Sequence, residues 1–382
     1  MATRKAVVML AASPGERIRA LRELFGFTQK QLAEMTGLGQ SRLSDAENQF
    51  RDVTDAELEV IATATGTPLS FFYVESNAIP LDSLRFRKLA GASITMTRRI
   101  HRWYRESYRV SDGLITESKY PVADLPFVTQ ESVSDDEINE LADQTRESLR
   151  LAPDAPIPHL TRALERAGVA VAPIVPPHID GDEAPAGGGH FGASYWGGLG
   201  ASALVGFFPG THGDRQRFTI AHEVGHLVLH SFRPRAADPE GEANKFAAAL
   251  LVPRSRAVEI LSDATTLTDF GRIKATWGVS MQALIMRASA LELITDSRKR
   301  SLFVQLSAKG WRREEPVEVG NESPLLLWTL LSRRFGPRPY RAAADALAIP
   351  PAVLRSVVPT PYENRGGKPT TGSVYALGSS SS

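Results

Sequence analysis

From Pro14 onward the apolar residues fall into groups at the spacing of one helix face. Ile18, Leu21, Leu24 and Phe25 form the first, Leu32, Ala33 and Met35 the second, and Leu58, Ile61 and Ala62 a later one. Gly26 and Gly37 stand where the first helices should stop, since glycine readily takes the left-handed conformation that ends a helix. Thr28 and Thr54 stand where new helices should begin, because a hydroxyl can accept from backbone N–H groups that the first turn leaves unpaired. The pattern predicts a small all-α domain over about residues 14–73.

Further along, Ile138, Leu141 and Leu149 predict one helix and Leu160–Ala167 another, followed by Gly168 and a strand at Val169–Ile174. The runs Phe191–Tyr195 and Ala203–Phe208, with glycines between them, read as a hairpin. Two helices are expected next, Arg217–Ser231 and Pro239–Leu251, the second stopped before Pro253. The last third reads as helix, turn and helix over Thr268–Leu293, a strand at Leu302–Gln305, and helices at Leu325–Phe335 and Tyr340–Val357. Residues 1–12 read as a strand or extended arm, Pro176–Gly189 as a mobile loop and Asn364–Ser382 as a disordered tail.

Composition sets outer bounds on this picture. The chain has 382 residues, 42% hydrophobic and 23% charged, with a net charge of +1. That leaves room for roughly two to three domains with ordinary cores. A nucleic-acid partner has to be argued from local patches, not from bulk charge. There is no cysteine, which excludes disulfides and thiolate-built zinc sites and fits a cytoplasmic protein. No stretch reaches the ~20 apolar residues of a membrane span. The short apolar run after Arg4 and Lys5 meets a charged amphipathic helix at once, unlike a cleaved leader.

The strongest chemical signal is His222-Glu223-Val224-Gly225-His226, on an apolar, helix-forming stretch. Two histidines four residues apart lie on one helix face, one turn apart, and can share one zinc ion. Glu223, beside the first ligand, can take a proton from a water activated by the cation and deliver it to a leaving amine. Gly225 leaves room for another backbone to approach. A catalytic zinc site needs a third protein ligand and an open position. Glu242, on the next predicted helix, is the candidate, with Glu240 as its competitor. The two lie nearly opposite each other on a helical wheel, so both cannot easily ligate. A motif this short also arises by chance, but here it falls on an amphipathic helix followed closely by an acidic one. His230, one turn further on, reads as a group supporting the site or the helix end. His190, Tyr195 and His212, in glycine-rich segments upstream, are candidates for stabilising an oxyanion.

The blocks Phe218-Thr-Ile-Ala-His-Glu-Val-Gly-His-Leu-Val-Leu-His230 and Glu242-Ala-Asn-Lys-Phe-Ala-Ala-Ala-Leu-Leu-Val-Pro253 resemble the ImmA/IrrE family of metallopeptidases, over roughly residues 135–295. The resemblance implies an α+β zincin-like metallopeptidase domain with Zn2+ on His222, His226 and Glu242 and with Glu223 as general base. It also implies an endopeptidase that cleaves one specific transcriptional repressor after stress or another signal. One departure is the strand Ala203-Leu-Val-Gly-Phe-Phe208, which many members end with a polar residue near the site.

The N-terminal helices resemble the Xre/Cro-type helix-turn-helix, matching over Phe27-Thr-Gln-Lys-Gln-Leu-Ala-Glu-Met-Thr-Gly-Leu-Gly-Gln-Ser-Arg-Leu-Ser-Asp-Ala-Glu-Asn48. Leu32, Ala33, Leu38 and Leu43 would lock two short helices, so that Gln40, Ser41, Arg42 and Ser44 face the major groove of double-stranded DNA. Gln29 is placed for a phosphate contact, and a homodimer is expected for reading a two-fold site. Against this, residues 1–76 carry 8 basic and 10 acidic residues, and Asp45 stands where a basic residue is common in the family. A domain kept for dimerisation or protein contact is the alternative.

Between Arg85 and Arg109 eight basic residues stand against one acidic residue, Glu106, with Trp103, Tyr104 and Tyr108 interleaved. This could grip a nucleic-acid backbone, but a solvated helix whose aromatics pack on a neighbour is the favoured reading. The expected scheme is multidomain: an all-α helix-turn-helix domain (1–76), a basic helical linker (77–134), the metallopeptidase domain (135–295), a helical accessory region (296–363) and the tail (364–382). Two functions fit it. One is a DNA-binding transcriptional regulator that is also a zinc-dependent endopeptidase. The other is a non-proteolytic transcription factor or antitoxin-like regulator using the zincin fold as a sensor or partner-binding domain.

Overall fold

The computed structural model describes residues 13–75, 79, 94–175, 192–233, 236–262 and 266–361. The arm at 1–12, the loop at 176–189, the tail at 364–382, and Arg85, Arg87, Lys88 and His190 lie outside them. The described residues of Met1–Val122, Ala170–Pro209 and Leu325–Asn364 form one compact unit, and those of Ala123–Val169 and Gly210–Pro324 form another.

The first unit begins with α1 (Pro14–Phe25), α2 (Gln29–Thr36), α3 (Gln40–Glu47) and α4 (Asp55–Thr65), closed by a 3-10 turn at Leu69–Tyr73. Thr28 and Thr54 cap α2 and α4 as expected. Each hydroxyl accepts from the backbone three residues on, while Gln31 or Glu57 reaches back to the capping residue. Gly37, with φ of 70°, ends α2 and makes the tight turn into α3 that a side chain would strain. Ile18, Leu21, Leu24, Leu32, Leu43 and Leu58 meet in the core. Glu47, buried at the end of α3, accepts from Arg22 at 2.7 and 2.8 Å and from Gln29 at 3.0 Å, tying three helices together.

The basic segment folds as α5 (Ile94–Glu117) and packs against α1 within this unit. It is a core helix, not a linker. Its aromatics are buried and each finds an acceptor: Trp103 donates to Ser356 Oγ at 2.9 Å, Tyr104 to the Leu204 carbonyl at 2.6 Å, and Tyr108 to the Ser202 carbonyl at 3.1 Å. Two of its arginines are likewise engaged inside the protein. Arg102 pairs with Glu16 and Glu23, and Arg109 donates to the carbonyls of Leu347 and Ala348. Arg17, fully buried on α1, reaches Glu106 at 2.5 Å.

Three strands complete this unit's secondary structure with α14 (Leu326–Phe335), α15 (Tyr340–Ala346) and α16 (Pro351–Val357). β1 (Val169–Pro173), β2 (Gly192–Trp196) and β3 (Ala203–Phe207) form a sheet in the order β1-β3-β2. The expected hairpin is present as an antiparallel β2–β3 pair with Ser194 opposite Val205. The single helix expected at Tyr340–Val357 is two, because Ala348 turns with φ of 48° and Pro350-Pro351 supplies no N–H to continue the first.

The second unit is helical: α6 (Asp135–Ser148), α7 (Leu160–Arg166), α8 (Gly213–His230), α9 (Pro239–Leu251), α10 (Arg254–Ser262), α11 (Leu267–Trp277), α12 (Met281–Ala290) and α13 (Asp296–Ala308). The strand expected at Leu302–Gln305 lies inside α13; Leu302 and Leu306 are buried one helical turn apart, while Val304 and Gln305 face solvent. Trp277 and Met281 are buried, so the α11–α12 turn serves packing. Glu322 links distant parts of this unit, accepting from the Leu160 and Thr161 amides at 3.0 and 2.6 Å and pairing with Arg217. Among the described residues no helix is long and apolar enough to cross a membrane.

Burial alone would raise the pKa of Glu106, but Arg17 and Arg109 outweigh it and hold the carboxyl at about 2. A carboxyl depressed on folding stabilises the protein above its unfolded pKa of ~4.3, and that stability is lost as pH falls towards the folded value. Replacing Glu106 by Gln leaves Arg17 buried with one counter-charge fewer. At neutral pH the expected cost is about 3–5 kcal/mol, measured by denaturant unfolding. The gap to the parent protein should close as pH is lowered from about 4.5 to 2; a gap independent of pH would rule out the ion pair as its source.

Candidate metal centre and DNA-reading face

The motif histidines lie on the buried side of α8. His222, Glu223 and His226 are between 3 and 4% exposed, and the apolar positions Val224, Leu227 and Val228 hold the helix in its core. α9 crosses close by at Gly225. A Cβ placed there would stand 3.2 Å from both Cα and O of Ala243 and 3.1 Å from the Phe246 ring, so the missing side chain sets how near the second helix comes. Asp238 caps α9, accepting from the Gly241 amide at 2.9 Å, with Pro239 in the first turn. Glu240 therefore sits in that first turn, where the helix dipole favours a carboxylate.

The structure brings Glu240, not Glu242, to the imidazoles. His222 Nε2 and His226 Nε2 are 3.1 Å apart, and Glu240 places Oε2 at 3.4 Å from the first and Oε1 at 3.4 Å from the second. Two ligands bonded at about 2.0–2.1 Å to one tetrahedral cation stand about 3.3 Å apart, so the three groups fit a single zinc-sized ion. Glu240 Oε2 is also buried without a hydrogen-bond partner, an oxygen that a cation would satisfy. The expectation of Glu242 at the third corner fails on helix geometry. Two residues along α9 turn its carboxylate by about 200°, where it accepts from Arg233 at 2.6 and 3.2 Å and contacts His230 at 3.0 Å.

Those contacts support the centre from outside. With its Nε2 turned to the cluster, His226 donates from Nδ1 to His230 Nδ1 at 2.9 Å, and His230 then donates from Nε2 to Glu242. Arg233 closes the chain by donating to Glu242 and to the Glu131 carbonyl at 2.6 and 3.0 Å. His222 is oriented separately, through Nδ1 to Asn244 Oδ1 at 2.9 Å. Burial pushes the His222 pKa down, but the Glu240 carboxylate and the Glu223 charge outweigh it and raise it. His222 and His226 in turn hold the Glu240 carboxyl well below the usual range. Burial would raise the pKa of Glu242, and Arg233 and His230 overcome this to lower it. Sequence reasoning missed Asn244 and Arg233. The Glu240–Asn244 spacing of one helical turn was the available signal, since it places both on the face that Glu242 leaves.

Of the oxyanion candidates, His190 lies outside the described residues. Tyr195 belongs to the other unit, its ring edge-on to Tyr108 at 4.9 Å. His212 is exposed at the start of α8, about 15 Å of helix rise from His222.

On the other unit, α3 presents Gln40, Ser41 and Arg42 to solvent, with Ser44 half-buried. Arg42 rests against Glu57 at 2.5 Å, a contact that DNA would have to replace. Gln29 is committed to Glu47 and helps hold the helices together. Asp45 is half-buried beside this face.

Residues 18–72 match the family model described as "Helix-turn-helix", and residues 211–289 match the peptidase-family model described as "IrrE N-terminal-like domain". No curated protein and no solved structure matches the chain. The second match covers both α8 and α9 and hence every residue of the His222–His226–Glu240 cluster. The chain is thus a multidomain, α-dominant protein with one small sheet, carrying an Xre-like helix-turn-helix segment and a segment similar to the IrrE/ImmA-like peptidase domain.

Proposed function

We propose that this protein is a DNA-binding transcriptional regulator and a zinc-dependent endopeptidase, cleaving one specific protein, a transcriptional repressor, in a stress or signal response in the cytoplasm. The observation that carries the reading is the triangle of His222 Nε2, His226 Nε2 and Glu240, with sides of 3.1 to 3.4 Å. Those three groups would hold Zn2+. When bound, the ion supplies Lewis acidity to a peptide carbonyl and to water. Glu223, buried and adjacent to His222 on α8, would take the proton of the attacking water and pass it to the leaving amine. Asn244 and the His230–Glu242–Arg233 chain keep the imidazoles in the tautomer that leaves each Nε2 lone pair to the metal.

The DNA-binding half rests on the exposed Gln40, Ser41 and Arg42. The acidic balance of residues 1–76 disfavours the non-specific phosphate term, and a homodimer doubling the contacts fits a two-fold operator. Repressor cleavage, rather than general proteolysis, accords with a peptidase domain carried beside a DNA reader. The alternative is a non-proteolytic transcription factor or antitoxin-like regulator using the same fold as a sensor.

Zinc content separates the two glutamates. Glu240→Ala is expected to abolish stoichiometric zinc by elemental analysis, whereas Glu242→Ala should retain it with affinity lowered about 10- to 100-fold; equal zinc in Glu240→Ala would refute the ligand set. In the parent protein zinc binding should weaken as pH falls, because His222 must lose its proton to ligate.

Glu223→Gln should keep zinc and DNA binding while losing peptide hydrolysis and the regulatory output. If the output survives in that variant, the protein regulates without cutting and the non-proteolytic reading holds. Arg42→Ala should weaken binding to duplex DNA from its own control region by about 1–3 kcal/mol, read by fluorescence anisotropy. An unchanged affinity would remove α3 as the reading helix.

A further inference from the structure

The second unit contains a polar cavity of about 260 Å³, lined from the starts of α6 and α10, the middle of α9 and the end of α12. Asp135, Asp136, Asn139, Lys245, Arg254 and Arg287 supply its polar wall. It is separate from the metal cluster. Lys245 lies five residues beyond Glu240 on α9, about 140° round the helix.

Arg287 sets this cavity apart. The residue is 4% exposed. Its Nη2 donates to Asn139 Oδ1 at 2.7 Å, but its Nε is buried without an acceptor. Burial, with Arg254 adding to it, pushes its pKa down to about 10, and Asp143 acts on it only through space; the group stays charged at neutral pH. A buried guanidinium without a bonded carboxylate is an unstable arrangement that a ligand can relieve. The other two cations of the wall are held lightly. Lys245 pairs with Asp135 at 2.5 Å and Arg254 with Asp136, and both aspartates are well exposed. Surface pairs of this kind exchange partners at little cost.

We propose that this cavity binds a small oxyanion, the carboxylate or phosphoryl end of a ligand, seated on Arg287 with Lys245 and Arg254 turning to it from the rim. Carboxylate and phosphate share what the wall asks for: several acceptor oxygens, a negative charge and no N–H to compete with the donors. Asp135 and Asp136, released from their cations, would then take up a cationic part of the same ligand or return to solvent. An occupant would tie α6, α9, α10 and α12 together and stabilise the folded unit by mass action.

The test is thermal unfolding of the full chain in chloride buffer of constant ionic strength, with inorganic phosphate in one titration and succinate in another. One of the two should raise Tm by several degrees with saturation, and which one does so identifies the source of the oxyanion. Arg287→Met should fold at least as well without ligand, since it removes an uncompensated buried charge, and should lose the shift. Arg287→Lys, which keeps the charge but not the fork, should weaken the apparent affinity by at least about tenfold. If neither anion gives a saturable rise, or if both variants respond like the parent, the cavity holds no oxyanion and Arg287 needs no partner beyond Asn139.

Discussion

The crossing of two helices at Gly225 governs the second unit. Because that residue has no side chain, the α9 backbone at Ala243 can lie within ordinary contact of α8, and the first turn of α9 then falls level with His222 and His226. Three polar groups are brought to one point in a core that otherwise contains Val224, Leu227, Phe246 and Leu250. Two buried imidazoles facing a half-buried carboxylate are costly unless something shares their lone pairs. The protein meets that cost from outside the cluster, with Asn244 on one imidazole and His230 on the other, and the inner face is one that could hold a cation.

A related logic holds elsewhere in the chain. Glu47, Glu106 and Glu322 are buried acids, each gripped by arginine and each joining segments far apart in sequence. The lowered pKa of Glu106 and of Glu322 is overcome burial, not relaxed geometry. Two of the charges that look like a nucleic-acid grip along the α5 sequence, those of Arg102 and Arg109, are engaged with Glu16 and Glu23, with Glu106 and with the carbonyls that end α15. What α3 offers to DNA is correspondingly modest: three exposed side chains, one of them already resting on Glu57. Specificity from such a face would rest on geometry more than on bulk attraction.

Much of the architecture was legible because it is local. The caps at Thr28 and Thr54, the β2–β3 hairpin and the limits of α9 follow from hydrogen bonds and side-chain periods within a few residues. The misreadings were of two kinds. At Leu302–Gln305 a short apolar run fitted either period, and only burial at Leu302 and Leu306 distinguishes helix from strand. Around α5 the favoured reading of aromatics packed on a neighbour agrees with Ser356, Leu204 and Ser202 as partners for the rings, but its solvated basic face does not, because Arg102 and Arg109 bind inside the unit.

The amino-acid sequence by itself determined that His222 and His226 share a helix face with Glu223 beside them, and that a short acidic helix follows. One helix's period is enough for that. Which acid completes the cluster was decided by the tertiary structure alone. Glu240 and Glu242 belong to the same helix turn, and the choice between them depends on how α9 is rotated about its own axis. The Asp238 cap, the Gly225–Ala243 approach and the pull of Arg233 on Glu242 set that rotation, and two of the three join residues with no neighbourhood in the chain.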